Sequence, residues 1–331
     1  MHSLEASRLR KFHYCKPDSL SFRQRVERIG NRIRESTAGI ACLQELDDNI
    51  LLNLGESLKD QYLQVAVALN ENIPSKDGVG IFVDPTKFDL IDSKTVRFRD
   101  VLDTHLPTLG QSARSDETSV SLTRALDREV REKMNMAVMA KLKHIDTQNV
   151  FIACSAHLFW DPSYPDIKLI QSYLLSNELR VYSEGISRIV LGADLNSVPI
   201  SSGVYELLMG SGSVEISHAH HPVTLRSTKG SSVLKSISEE AVSALHCPVP
   251  FVSAYRAINA VEPLFTNYTQ NFKGCLDYIM LKGFTTLDVR ALPSQEELQS
   301  ETALPNSHWP SDHLPLVADI SFDDCLKSSS R

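Results

Sequence analysis

The chain reads as an α/β protein: two packed mixed β-sheets flanked by helices. Three observations predict this class. The strand candidates are rich in Val, Ile and Ala, as strands covered on both faces are. Helical patterns are few and the intervals between strands are long, which favours a sheet pair with helices packed outside. Polar, titratable residues collect where the apolar runs stop. With 331 residues, 42% apolar and 23% charged, and no linker to divide it, the chain is expected to form one domain over 1–322, with a disordered tail at 323–331.

Taken in order, SFRQRVERIGNRIRES (21–36) sets Phe22, Val26, Ile29 and Ile33 at helical spacing between basic residues, an amphipathic helix with a basic solvent face. IACLQEL (40–46) reads as a short strand ending in Gln44–Glu45, and 47–60 as a helix. VAVALN (65–70) and GVGIFVD (78–84) are strands around a polar loop that holds Lys76, Asp77 and Gly78. From 100 to 135 the sequence becomes polar and charged, which predicts an insertion of loop and short helix. Strands resume at 137–142, 150–158, 188–196, 275–281 and 314–322, and Ile167, Ile170, Leu174 and Leu175 mark one face of a helix over 165–184.

The net charge of −7 offers no global positive field to gather a polyanion, so a nucleic-acid substrate must be gripped locally. Six cysteines lie far apart with no C-x-x-C pair, which indicates neither a zinc site nor a disulfide framework. The first 16 residues carry basic side chains but no apolar h-region, and no 18-residue apolar span occurs. The expectation is a protein of a reducing compartment, cytoplasmic, or nuclear or mitochondrial if a targeting segment precedes Met1, with no membrane partner.

Four buried-looking strands end in residues that apolar cores avoid: Glu45, His157, the pair Asp194 and Asn196, and Asp277. Asp312–His313, at the mouth of the strand read from Leu314, makes a fifth corner. The two-residue strand period sends Asp194 and Asn196 to one face, where they can address one ligand together. Each has a plainer alternative. Glu45 could cap the next helix, His157 could be a satisfied core histidine, and Asp194 with Asn196 could form an Asx turn. Pro-Ser-Asp at 310–312 is ordinary turn chemistry. Asp277, amid Cys275, Leu276 and Ile279, needs a partner, because an unpaired carboxylate in such a run is costly to bury.

The motifs CLQEL (42–46), SAHLFWDP (155–162), GADLNS (192–197), FTNYT with FKGCLDYI (265–279) and WPSDH (309–313) resemble the exonuclease–endonuclease–phosphatase superfamily, over about Tyr14 to Ile320. Within it the chain resembles the poly(A) deadenylase branch that also contains nocturnin, Angel and 2′-phosphodiesterase. The resemblance implies a deoxyribonuclease I-like sandwich and Mg²⁺, or alternatively Mn²⁺, held by Glu45 and Asp312. It implies that Asp194 orients or deprotonates the attacking water and that Asn196 bonds the phosphate or metal. His157 and His313 would stabilise the phosphoryl oxygens, with Asp277 orienting His313. Phe272 and Pro162 would sandwich the terminal base, with Asn267 and Lys76 also at the substrate, although Phe272 equally fits a core aromatic and Lys76 a turn.

The activity so implied is Mg²⁺-dependent 3′–5′ trimming of RNA, from a poly(A) end, with release of AMP. A phosphatase acting on a small nucleotide or cyclic phosphate, and a catalytically weakened binding or scaffold protein, are the alternatives. Two departures from the family pattern carry expectations of their own. No leucine-rich repeat precedes the matched region, so docking by such a module is not implied. The family also opens with a buried strand ending in Tyr-Asn or Trp-Asn, whereas HSLEASRLRKFHYC resembles only the segment after that strand, which predicts a truncated, weakly active and poorly soluble form.

Overall fold

The computed structural model describes residues 11–70, 77–110, 130–199, 203–210, 245–298 and 301–322. Lys76, the tail 323–331 and much of the predicted insertion lie outside these residues. The strands are β1 (Ile40–Gln44), β2 (Leu63–Ala68), β3 (Val79–Val83), β4 (Phe88–Arg97), β5 (Met136–His144), β6 (Val150–His157), β7 (Ile189–Asp194), β8 (Val252–Ser253), β9 (Asn267–Tyr268), β10 (Lys273–Gly274), β11 (Asp277–Lys282), β12 (Thr285–Val289) and β13 (Ala318–Ser321). The helices are α1 (Phe22–Ser36), α2 (Asp48–Leu58), α3 (Phe98–Gly110), α4 (Pro165–Tyr182), α5 (Gly203–Met209), α6 (Ala254–Asn259) and α7 (Gln295–Leu298).

Six strands form one mixed sheet in the order β4-β5-β6-β7-β11-β8, antiparallel except for the parallel pair β6–β7. Three more form an antiparallel sheet, β1-β3-β2, and two small pairs, β9–β10 and β12–β13, complete the set. Among the described residues, β1 is hydrogen-bonded along one edge only, to β3.

Strand alternation assigns the layers. Val79, Ile81 and Val83 of β3 meet Met136, Val138 and Ala140 of β5 between the two sheets. Phe82 turns outward instead, onto Val26 and Ile33 of α1 and Leu54 and Leu58 of α2. On the far side of the six-stranded sheet, Ala137, Met139, Ile152 and Cys154 pack against Ile167, Ile170 and Leu174 of α4. The result is a helix–sheet–sheet–helix sandwich. The sheets approach closely where β1 crosses β7: a Cβ on Gly192 would lie 2.7 Å from Cys42 Cβ, so only glycine fits without a shift.

Two differences from the sequence expectation have clear causes. Strand β4 is not foreseen, because FDLIDSKTVR lies at the sheet edge, is mostly exposed, and has only Val96 fully buried, so it lacks an alternating signature. The strand expected at 314–322 begins only at Ala318. Upstream, the backbone is spent elsewhere: Tyr268 N–H donates to Asp312 O (3.0 Å), and Leu314 N–H to Thr266 O (2.7 Å). Asp312–His313 therefore does not end a strand. It lies against β9 through an isolated bridge between Asn267 and His313.

Candidate active site

One row of paired residues crosses the rim of the six-stranded sheet: His157 of β6 pairs with Asp194 of β7, and Asp194 with Asp277 of β11. Directly paired residues share a face, so all three point toward the mouth of the space between the sheets. His157 Nε2 lies 3.5 Å from Asp194 Oδ2. From the adjoining loop His313 completes the group, with Nδ1 at 2.8 Å from Asp277 Oδ2 and Nε2 at 4.0 Å from Asp194 Oδ2.

Asn196 reaches the site differently from the strand-period expectation. Strand β7 ends at Asp194, and Asn196 has a left-handed backbone with φ 46°, a conformation asparagine tolerates better than most residues. Its N–H donates to Asp194 Oδ1 (2.8 Å), the Asx turn that was the plainer alternative. The turn nevertheless delivers the side chain: Asn196 Nδ2 donates to Leu158 O (3.0 Å) and lies 3.0 Å from His157 Nε2.

Glu45 follows β1 immediately, with a left-handed φ of 57°, and is exposed. It does not cap the next helix, because Asp47 does so by accepting from Ile50 N–H at 2.7 Å. The strand before it is clamped by Gln44, whose Nε2 donates to Ser155 Oγ (3.0 Å) and Gly192 O (3.2 Å) across the sheet interface. Asp312 is buried, and Lys11 Nζ lies 3.4 Å from its Oδ2. Phe272 is 42% exposed and is not a core aromatic. Pro162 is exposed, while Asn267 is buried beside His313.

Asp77, from the polar loop named in the sequence, and several residues not singled out there support these groups. Thr266 Oγ1 donates to Asp277 Oδ2 at 2.5 Å and accepts from the Leu276 and Asp277 N–H groups, which fixes the carboxylate that holds His313. Asp77 Oδ1 sits 3.3 Å from His157 Nδ1. From α4, Lys168 Nζ donates to Asn196 O (2.7 Å) and Gln171 Nε2 to Asn135 Oδ1 (3.2 Å), while Asn135 Nδ2 holds His157 O (3.2 Å). The available signal was Lys168 and Gln171 set among the apolar positions Ile167, Ile170 and Leu174, where an amphipathic helix places no polar residue without a partner.

Electrostatically the rim is unbalanced. Burial and the facing Asp277 raise Asp194 to about 6, against the opposing pull of His157, His313 and the Asn196 N–H. Burial would lower His157, but the Asp77 hydrogen bond and the charges of Asp194, Asp77 and Glu45 outweigh it and raise it to about 9. His313 is likewise held well above its ordinary value, burial being overcome by Asp277, Asp194 and Asp312. Asp312 stays below the carboxylate range despite burial, through His313, Lys11 and Arg25. Near neutral pH the site thus presents two imidazolium groups and a carboxylate poised to take a proton.

Among the described residues, Asp194, Asp277 and His313 form a group with ligand atoms within 4.8 Å of one another, a spacing that could hold a metal ion. Glu45 and Asp312 are outside that group. The wider donor set also fits a cation. Glu45, Asp77, Asp194, Asp277 and Asp312 supply the hard oxygens that Mg²⁺ or Mn²⁺ prefers.

Residues 9–313 match the Endonuclease/Exonuclease/phosphatase family. The CCR4-Not complex 3′-5′-exoribonuclease subunit Ccr4 of Aspergillus niger is 30% identical over 335 residues, covering 94% of this chain and 49% of that protein. Mouse 2′,5′-phosphodiesterase 12 is 28% identical over 330 residues, covering 96% of this chain and 49% of its own length. The chain thus spans about half the length of the curated relatives it matches. Among solved structures, ANGEL2, a 2′,3′-cyclic phosphatase, superposes with TM-score 0.73 at 21% identity over 96% of this chain and 91% of that one. The human nocturnin catalytic domain gives TM-score 0.60 at 19% identity, over 92% and 88%. The chain therefore belongs to the endonuclease/exonuclease/phosphatase family of hydrolytic nucleases and phosphatases, with relatives in its deadenylase branch.

Proposed function

We propose that this protein is a divalent-metal-dependent 3′–5′ exoribonuclease that removes AMP from adenine-rich RNA ends in the cytoplasm. The observation that carries this reading is the rim row itself: Asp194 Oδ2 lies 3.5 Å from His157 Nε2 and 4.0 Å from His313 Nε2, and burial with the facing Asp277 raises its proton affinity to about 6. A general base works best near the operating pH, so Asp194 is suited to take the proton of an attacking water. The Nε2 of His313 faces that space and donates to a phosphoryl oxygen as charge develops there, while His157, whose ring nitrogens already meet Asp77 and Asn196, contributes positive charge. Asp277, locked by Thr266, holds the Nδ1 of His313 and so directs Nε2 at the substrate. The exposed Phe272 offers a face on which a terminal base can stack.

Glu45 and Asp312 are assigned as the residues that hold Mg²⁺, with Mn²⁺ as a substitute. Glu45 makes no hydrogen bond or ion pair among the described residues, so its carboxylate is open to a cation, and Asp312 is assigned with it from the family resemblance although His313 and Lys11 already face it. A divalent cation held there would offset the negative charge of the substrate phosphate. The exoribonuclease reading draws on the Ccr4 relatives, which carry that activity in their names. The test incubates the purified protein and Mg²⁺ with labelled poly(A), mixed-sequence RNA, a 2′,3′-cyclic-phosphate RNA end and NADPH. Release of AMP from poly(A) ahead of the others is expected. Phosphate release from NADPH or opening of the cyclic phosphate, with poly(A) intact, would replace the exonuclease by a phosphatase.

A further inference from the structure

The row that carries the catalytic groups does not stop at His157. In the register of the same sheet His157 pairs with Met136 of β5, and Met136 with Arg97, the last residue of β4. Arg97 therefore shares a face with His157, Asp194 and Asp277. Its neighbours Val96 and Phe98 are completely buried on the opposite face, against the helices. At two strand spacings of about 4.8 Å, the Arg97 backbone stands about 10 Å from that of His157, a gap that an extended arginine side chain narrows.

A cleft of about 230 Å³ lies at this corner, lined by Arg97, Arg99, Asp100, Asn70, Met134 and Met136. Arg99 is partly engaged, with Nε 3.3 Å from Asp100 Oδ1 and Nη1 3.2 Å from Met134 Sδ. Asn70 donates to Met134 O (3.3 Å). The Arg97 side chain makes no hydrogen bond or ion pair among the described residues, although the chain carries a net charge of −7. A planar fork of five donors left without a carboxylate, beside a second arginine and in line with a phosphate-cleaving rim, has the chemistry of a phosphate ligand site.

We infer that Arg97, with Arg99 beside it, binds the phosphate immediately upstream of the scissile one, so that the enzyme engages two consecutive phosphates of its substrate. This rests on the exoribonuclease reading for the order of the phosphates. The cleft selects a chain of at least three nucleotides over a dinucleotide, whose single phosphate lies at the rim.

The probes are ApApA, which has an upstream phosphate, and ApA, which has none. Hydrolysis of both is measured for the wild type, Arg97→Ala and Arg97→Lys. Equilibrium binding of their phosphorothioate forms, which resist cleavage, is measured alongside. Arg97→Ala should reduce the ApApA:ApA preference about 10-fold to 100-fold, the range of a charge-assisted hydrogen bond, with partial recovery in Arg97→Lys. The slope of log affinity for ApApA against log salt should flatten by about 0.7, one single-strand phosphate contact. A wild type that does not distinguish the two probes overturns the inference, as does an Arg97→Ala variant that keeps the wild-type ratio or loses affinity for both equally. Binding of ApApA through Arg97 without cleavage of either probe would sink the exoribonuclease and keep the subsite. Cleavage with an unchanged ratio does the reverse.

Discussion

His105 and His157 are both buried histidines facing carboxylates, on opposite faces of the same sheet. On the helical face, His105 Nε2 meets Glu178 Oε1 at 2.8 Å and Lys94 Nζ meets Oε2 at 2.6 Å, so both oxygens of one buried carboxylate have a partner. Glu178 accordingly lies below the ordinary carboxylate range, first through the His105 hydrogen bond and then, against burial, through Lys94. On the inner face burial, and then the carboxylate of Asp277 across the strands, raise Asp194 to about 6. The residue types are nearly the same, yet the charges close in one cluster and are left unbalanced in the other. A closed cluster ties α3 and α4 to β4. An unbalanced one costs stability and can repay that cost only through a ligand, which marks the rim as the place of chemistry.

The strongest way to break this contrast is a pair of near-isosteric changes. Asp194→Asn should lower turnover by about 10²- to 10⁴-fold, the range for a lost general base or charge stabiliser, and His313→Ala should fall in the same range. Asp194→Asn should melt no earlier than the wild type at neutral pH. Its folded pKa is raised, so the folded protein holds its proton longer, and the charged form costs stability as pH rises through about 6. Glu178→Gln should do the opposite, keeping turnover per folded molecule and losing up to roughly 3 kcal/mol of stability, since it breaks a buried cluster whose lysine can still turn to water. Activity assays and denaturant curves on the same preparations decide. If Glu178→Gln abolishes turnover, or Asp194→Asn unfolds the protein, the two clusters do not differ in kind.

Smaller effects sharpen the picture of the rim. Phe272→Ala should raise KM for oligoadenylate by the equivalent of about 1–3 kcal/mol per stacked base, with little change in hydrolysis of a generic phosphodiester. Equal losses on both would give the ring a purely structural role. Glu45→Gln keeps the shape and removes the charge, so activity against Mg²⁺ should titrate to higher concentration. An unshifted curve would release Glu45 from the metal.

The smallest effect is a displaced pH limb. At limiting Mg²⁺, activity should rise as Asp194 deprotonates near pH 6 and fall as His157 loses its proton near pH 9. Saturating Mg²⁺ should carry the acidic limb lower, because a cation favours the charged carboxylate. A limb that stays put would mean that the cation does not feel Asp194.

Most of the architecture was legible in the sequence. Apolar runs such as VFIACSAHL and RIVLGADLN belong to strands buried on both faces, and helix periodicity marked 21–36 and 165–184. Strand β4 was not legible, because an exposed edge strand has no core to pattern its side chains. The site residues were legible as types, because an Asp or His at the end of an apolar run is costly unless something meets it.

By itself, then, the sequence determined the residue types and the strand ends at which they stand. Only the tertiary structure decided how they meet. Asn196 arrives through a left-handed turn and not through strand alternation, Asp312–His313 by lying on β9, and Glu45 is freed from capping because Asp47 takes that bond. The support from Thr266, Asp77 and Lys168, and the extension of the row to Arg97, depend on cross-strand register and helix docking. Register is a relation between segments far apart in the chain, set by which faces bury together, and no local pattern carries it.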